Sequence, residues 1–157
     1  MRNVVIIIIV LAVVIIGSYF FLPQGQKLNN QAGDYKHIAY LIDGQAFTLG
    51  QTVGKTNTQY FGNEAEGDLN GDGLIDRAFI ITQTTGGSGT FYYAVGAIKN
   101  SAGGYLGTAG VFLGDRIAPQ TTEIKDGIVI VNYADRAPSE SFVTSPSIGK
   151  SIRFKFD

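Results

Sequence analysis

The chain of 157 residues has no cysteine, no tryptophan and a single histidine. Without cysteine there is no disulfide, no thiolate metal site and no lipid-modified N-terminal cysteine. One histidine and no cysteine also exclude an ordinary zinc site, so His37 reads as a solvent-facing or packing side chain. The compartment stays open, because an exported protein can do without cysteine. An excess of charge of either sign is missing too. The net charge is −1, no basic surface dominates, and a nucleic-acid partner is not expected. Helical periodicity is absent beyond residue 36. What is present is glycine, 21 residues of it, with Thr, Val, Ile, Tyr and Phe. That is the composition of short strands joined by tight turns. The length suffices for one domain with a real core.

Two catalytic or nucleotide-binding signatures are narrowly missed. Gly50-Gln51-Thr52-Val53-Gly54-Lys55-Thr56 nearly spells a phosphate-binding loop, but only three residues separate its glycines and Leu49 stands where the first glycine should be. The residues that follow read as strand or turn, whereas such a loop needs a helix N-terminus at the phosphates. Nucleotide is therefore not expected. Ser88 lacks the last glycine of a nucleophile elbow, since Thr90 stands there.

The one long apolar run is Val4 to Leu22, nineteen residues without a charge. As a helix it would extend about 28 Å, close to the ~30 Å hydrocarbon core of a bilayer. Arg2 and the amino terminus favour a cytoplasmic start, and Tyr19, Phe20 and Phe21 suit the far interface. The run is longer than a cleaved signal core and ends in Phe20-Phe21-Leu22-Pro23-Gln24, without small residues for cleavage. The expected organisation is a transmembrane signal anchor over 1–22, a flexible tether over 23–36 and an extracytoplasmic β domain over 37–157.

Within that domain Asp43-Gly44 signals a two-residue hairpin turn. Arg77 to Thr85 and Thr90 to Lys99 read as a central hairpin across Gly86-Gly87-Ser88-Gly89. Tyr105 to Leu113 reads as a further strand. Thr121–Lys125 and Ile128–Tyr133 form a hairpin across Asp126-Gly127, Ala137 to Ser147 is a loop, and Ser151 to Phe156 closes the sheet. Eight or nine short strands predict a mainly β, antiparallel sandwich or barrel-like domain. Asp-Arg occurs at 76–77, 115–116 and 135–136, either as a polar cluster at one end of the sheet or as ordinary strand-end ion pairs. Phe91, Tyr92, Tyr93 and Tyr105 are residue types that serve a sugar-binding face or a strand core.

The most specific stretch is Glu64 to Asp76. It holds five of the thirteen acidic residues, and no Lys or Arg lies between Lys55 and Arg77. From Asp68 it reads D-x-N-x-D-G-x-x-D. Calcium takes six to eight oxygens, many from carboxylates, and alternate positions in a tight loop can converge. Asp68, Asn70 and Asp72 offer side-chain oxygens, Leu74 its carbonyl, and Asp76 completes the set. Three carboxylates so close repel one another without a cation.

The first half of this loop resembles an EF-hand loop. The second half departs from it, because Phe79 occupies position 12, where an EF-hand has a bidentate glutamate. Asp76, or Glu64 or Glu66 reaching in, would have to replace that ligand. The loop is more similar to the strand-flanked calcium loops of FG-GAP-type repeats, and also to dockerin and thrombospondin type 3 loops. There the loop is a structural calcium site, with ligand positions matching Asp68, Asn70, Asp72, Leu74 and Asp76. The single copy excludes a propeller. The wider run from Tyr60 to Tyr93, with G-D-R-I-A-P-Q-T and V-N-Y-A-D-R-A-P, is similar to a group of uncharacterised bacterial envelope proteins, which implies export and no activity. The expectation is a membrane-anchored, calcium-stabilised domain with a binding or envelope-structural role. The alternative is a metal-dependent hydrolase using the acidic cluster 64–76.

Overall fold

A computed structural model describes residues 33–156. The run read as a signal anchor, and the tether up to residue 32, lie outside the described residues. The fold already begins at Asp34, inside the stretch read as tether. Asp34 caps a short 3-10 turn, Tyr35–His37, by accepting from Lys36 N at 2.9 Å. His37 is exposed and bonds back to Asp34. Among the described residues no helix is long and apolar enough to cross a membrane.

Eleven antiparallel strands follow: β1 (Ala39–Ile42), β2 (Gln45–Thr48), β3 (Thr52–Val53), β4 (Thr56–Gly67), β5 (Asp76–Thr84), β6 (Phe91–Lys99), β7 (Tyr105–Gly107), β8 (Val111–Asp115), β9 (Ala118–Lys125), β10 (Ile128–Asp135) and β11 (Ile148–Phe154). β3 to β7 form one sheet in sequence order, and β8 also pairs with β6. The β1–β2 hairpin and the β11-β10-β9 sheet are separate.

The alternation of side chains along β5 and β6 explains the layering. Phe79, Ile81, Tyr93, Val95 and Ala97 point to one face, where they meet Ile38, Tyr40, Ile42 and Phe47 of the hairpin region. Ala78, Ile80 and Ala94 point to the other, where they meet Val129, Val131 and Tyr133 of β10. The central sheet is thus covered on both sides, which is why β5 reads as an unbroken apolar run rather than an alternating one. The mainly β antiparallel expectation holds, as a stack of sheets.

Tyr105 to Leu113 is not a single strand. It breaks at Thr108–Gly110 into β7 and β8, because the chain there steps against β1. Leu41 N donates to Thr108 O at 3.1 Å and Gly110 N to Leu41 O at 2.7 Å. A Cβ on Gly107 would stand 2.1 Å from the Ala39 carbonyl oxygen, so only glycine allows this approach. In the other direction, β4 is longer than its composition suggests. It runs through Gly62-Asn63-Glu64 on bulges, with Gly62 and Asn63 at positive φ.

Candidate functional site

The acidic stretch divides into two parts with different partners. Glu64 and Glu66 lie on β4 and turn to Arg77 of β5 rather than into the loop. Glu64 also accepts from Tyr35 Oη at 2.7 Å and Tyr60 Oη at 2.9 Å. The Arg77 guanidinium lies over the Tyr35 ring, 5.0 Å from its centre. Burial alone would raise the Glu64 carboxyl, but the bonds from Tyr35, Tyr60 and Arg77 more than reverse this and hold it below its usual value. Burial, and then the bond to Glu64, push the Tyr60 phenol up to about 12.

This sets a pH dependence. A carboxyl lowered in the folded state stabilises the fold above its ordinary value of 4.5, and that contribution disappears as pH falls through the folded value. Asp115 and Asp135 are lowered too, by Arg116 and by Lys150, and act with the same sign. Glu64→Gln is expected to cost roughly 1–3 kcal/mol near neutral pH and to flatten the acid side of the stability curve. Melting temperatures from pH 7 to pH 3 check this. An acid limb as steep as the wild type's would remove Glu64 from the account.

Asp68 to Ile75 connect β4 to β5. Gly71 and Gly73, both at φ 82°, make the tight turns. Asp68 Oδ1 accepts from Asn70 N at 3.2 Å and Gly71 N at 2.6 Å, and its Oδ2 from Gly73 N at 2.8 Å. These amides, Gly73 first, lower the Asp68 carboxyl. Asn70 Oδ1 accepts from Asp72 N at 3.0 Å, and its Nδ2 donates to Asp72 Oδ2 at 3.0 Å. Asp72 Oδ1 accepts from Leu74 N at 2.8 Å. Every side-chain oxygen of Asp68, Asn70 and Asp72 is therefore engaged within the loop. The loop is wrapped on itself by Asx turns, a pattern in which Asp and Asn side chains bond amides two residues on.

Asp76 behaves differently. It opens β5, is completely buried, and uses both oxygens on backbone amides. Oδ2 accepts from Leu69 N at 2.8 Å and Oδ1 from Lys99 N at 2.7 Å. The first bond ties the loop down and the second ties it to the end of β6. Burial raises the Asp76 carboxyl, the two amides oppose that, and the charges of Asp72 and Asp68 push it further up. So the sequence places four side chains in one loop, and the structure turns three of them inward on themselves and one downward into the sheet. Among the described residues no group of three or more His, Asp or Glu side chains is already gathered to hold a metal ion.

A turn from another sheet completes the surroundings. Gly127 of the β9–β10 turn lies so close that a Cβ there would be 3.3 Å from the Leu69 carbonyl oxygen. Its neighbour Asp126 and Lys155 line a cleft of about 510 Å³ together with Asp68 and Asn70. Sequence reasoning recognised Asp126-Gly127 as a turn but had no signal for its position against the loop.

The Asp-Arg pairs also separate. Asp115-Arg116 and Asp135-Arg136 meet at one end of the sheets, where Arg136 Nη1 donates to the Arg116 carbonyl at 2.7 Å. The Arg116 guanidinium stacks 3.8 Å from the centre of the Phe142 ring, and Arg136 5.6 Å from it. Lys150 closes on Asp135 at 2.6 Å. Asp76-Arg77 is elsewhere, its two side chains on opposite faces of the central sheet. Opposite charges pair off locally at this corner, which makes it a clamp on the 137–147 loop.

The chain matches no protein-family model, no curated protein and no solved structure.

Proposed function

We propose that this chain is a membrane-anchored, extracytoplasmic β domain whose acidic loop takes a structural calcium ion, and that it serves a binding or envelope-structural role. Residues 1–22 would be the anchor, by their length, lack of charge and flanks. Asp68, Asn70, Asp72, the Leu74 carbonyl and Asp76 would hold the ion. The carrying observation is uncompensated acidic charge: among the described residues Asp68, Asp72 and Asp76 enter no ion pair. The donor set fits. A carboxylate oxygen has two acceptor directions: Asp68 Oδ1 fills both with amides, whereas Asp68 Oδ2 and both oxygens of Asp72 and of Asp76 accept one bond each and keep a direction for a cation. Calcium, when bound, would supply the positive charge these three carboxylates lack. The self-wrapped loop supports a structural rather than a catalytic ion, since a catalytic metal keeps an open position.

The missing position-12 glutamate puts affinity in the weak range of extracellular modules, about 10⁻⁴–10⁻³ M. At roughly tenfold excess over Kd, calcium is expected to add about 1.4 kcal/mol, or roughly 5 °C in Tm. A thermal melt of the full chain in chelator and in several millimolar calcium measures this. An unchanged Tm would sink the calcium reading.

A further inference from the structure

The hairpin covers only part of its face of the central sheet. Past its Asp43-Gly44 turn, a second cleft of about 530 Å³ lies open, lined by Asp43, Gln83, Thr85, Phe91, Tyr93 and Phe112. The register builds it. Gln83 of β5 stands opposite Phe91 of β6, and Tyr93 of β6 opposite Phe112 of β8. These residues share one face, side by side. Phe112 is 55% exposed, unusual for a phenylalanine in a paired strand. Gln83 is fixed by donating through Nε2 to Thr58 Oγ1 at 3.0 Å. Asp43 and Tyr93 line the cleft together, and burial, then the Asp43 charge, raise the Tyr93 phenol.

We propose that this cleft binds a neutral saccharide. The chemistry of the lining disfavours an anionic and a purely apolar occupant. No Lys or Arg lines it, so an anionic ligand would meet only the Asp43 carboxylate. A purely apolar ligand would strip water from that carboxylate and from the Thr85 hydroxyl without replacing its hydrogen bonds. An organic cation would be drawn to Asp43 and to the ring faces, and is the competing occupant that the test below must separate. The rings lie next to each other but tilted, Tyr93 and Phe112 by 54° with centres 5.3 Å apart and Phe91 and Phe112 by 46° with centres 6.5 Å apart. They form a stepped apolar wall along one side of the cleft. A neutral sugar ring offers one C–H face to such a wall and hydroxyls to the polar rim. The volume falls within the ~300–1,000 Å³ of small-molecule sites, which combine apolar walls with a few placed polar groups. The sequence offered Phe91, Tyr92, Tyr93 and Tyr105 as aromatic candidates. Tyr105 is core, and Tyr92 points to the opposite face, against Phe61. Phe112 takes their place.

The inference gives content to the binding role proposed above and does not rest on the calcium loop. Its test is titration of the full chain, held in a zwitterionic detergent free of sugar head groups. The probes are neutral oligosaccharides of glucose, galactose, mannose and N-acetylglucosamine, with polygalacturonate and tetramethylammonium as charged comparators. Calorimetry and tyrosine fluorescence report binding, in chelator and again in calcium, so failure here is separable from failure of the calcium reading. At least one neutral oligosaccharide is expected to bind, with Phe112→Ala weakening it about tenfold while Tm is kept. Phe61→Ala removes an exposed aromatic from the other face and should leave binding unchanged. The proposal is overturned if no neutral probe binds at about 10 mM, if Phe112→Ala binds as the wild type does, or if only a charged comparator binds.

Discussion

Phe79→Glu is expected to unfold the domain rather than complete a calcium site in its acidic loop. In an EF-hand that position carries the glutamate that closes the site, so the substitution looks from sequence like a repair. The structure makes it the opposite. Phe79 is wholly buried on the hairpin face, its ring centre 5.5 Å from those of Tyr35 and Tyr40 and 5.3 Å from that of Tyr60. Asp76, three residues earlier on the same strand, faces the other way and lies roughly 10 Å back along β5. A glutamate at 79 cannot reach the loop. It loses the ring, at about 3–5 kcal/mol, and leaves a carboxylate in an aromatic core at several more. Together these rival the ~5–15 kcal/mol that holds a domain folded. Circular dichroism should show no cooperative thermal transition, and calcium should not restore one. A folded variant with tighter calcium binding would show that the strand can rotate Phe79 toward the loop, against the layering described here.

Asp76→Ala should be the costliest change within the loop. Two backbone amides, Leu69 N and Lys99 N, depend on this one carboxylate. Bonds to a charged group are worth about 1.5–3 kcal/mol each, and a buried amide left unpaired costs in the same range. Part of the loss is returned, because a buried carboxylate carries its own desolvation cost, so a net loss of about 3 kcal/mol is expected. The loss should appear in urea denaturation in chelator, independent of any cation. Asp76→Asn keeps one acceptor but turns an amide NH₂ toward a donor, and should fall between wild type and alanine. Asp72→Ala, whose partners are exposed, should cost less than either. Equal losses for Asp72→Ala and Asp76→Ala would deny Asp76 its clamping role.

The sequence was most legible where local chemistry decides structure. Asp43-Gly44 and Asp126-Gly127 read directly as hairpin turns because positive φ is needed there, and both aspartates have it. The β5–β6 hairpin was legible because its two runs are long, apolar and separated by glycines. The loop's boundaries were legible because glycine and Asx residues alternate. Less legible was anything set by distant contact. The break of Tyr105–Leu113 depends on β1 passing within bonding distance, some seventy residues earlier in the chain, and only Gly107 and Gly110 hint at it. The Glu64–Arg77 cluster was hidden because acidic residues near a calcium-like loop look like ligands until Tyr35 of the 3-10 turn, Tyr60 of the same strand and Arg77 of the neighbouring strand claim them. The position of Asp126 and the exposure of Phe112 are likewise products of register between strands far apart in sequence.

The two-faced burial of β5 has one more consequence. In an ordinary sheet strand, an apolar face and a polar face lock the pairing, since sliding by one residue would push apolar groups into water. β5 has no such lock. Ala78, Phe79, Ile80 and Ile81 are apolar on both sides, and a slip by one residue would exchange one apolar core for the other. Something other than hydrophobic pattern must set its frame. Asp76 meets that need: it stands at the first position of the strand and bonds one amide before the loop and one on the neighbouring strand, a geometry that only a single alignment satisfies. On this view the last residue of the acidic motif is the index mark from which the central sheet is counted, with or without an ion in the loop.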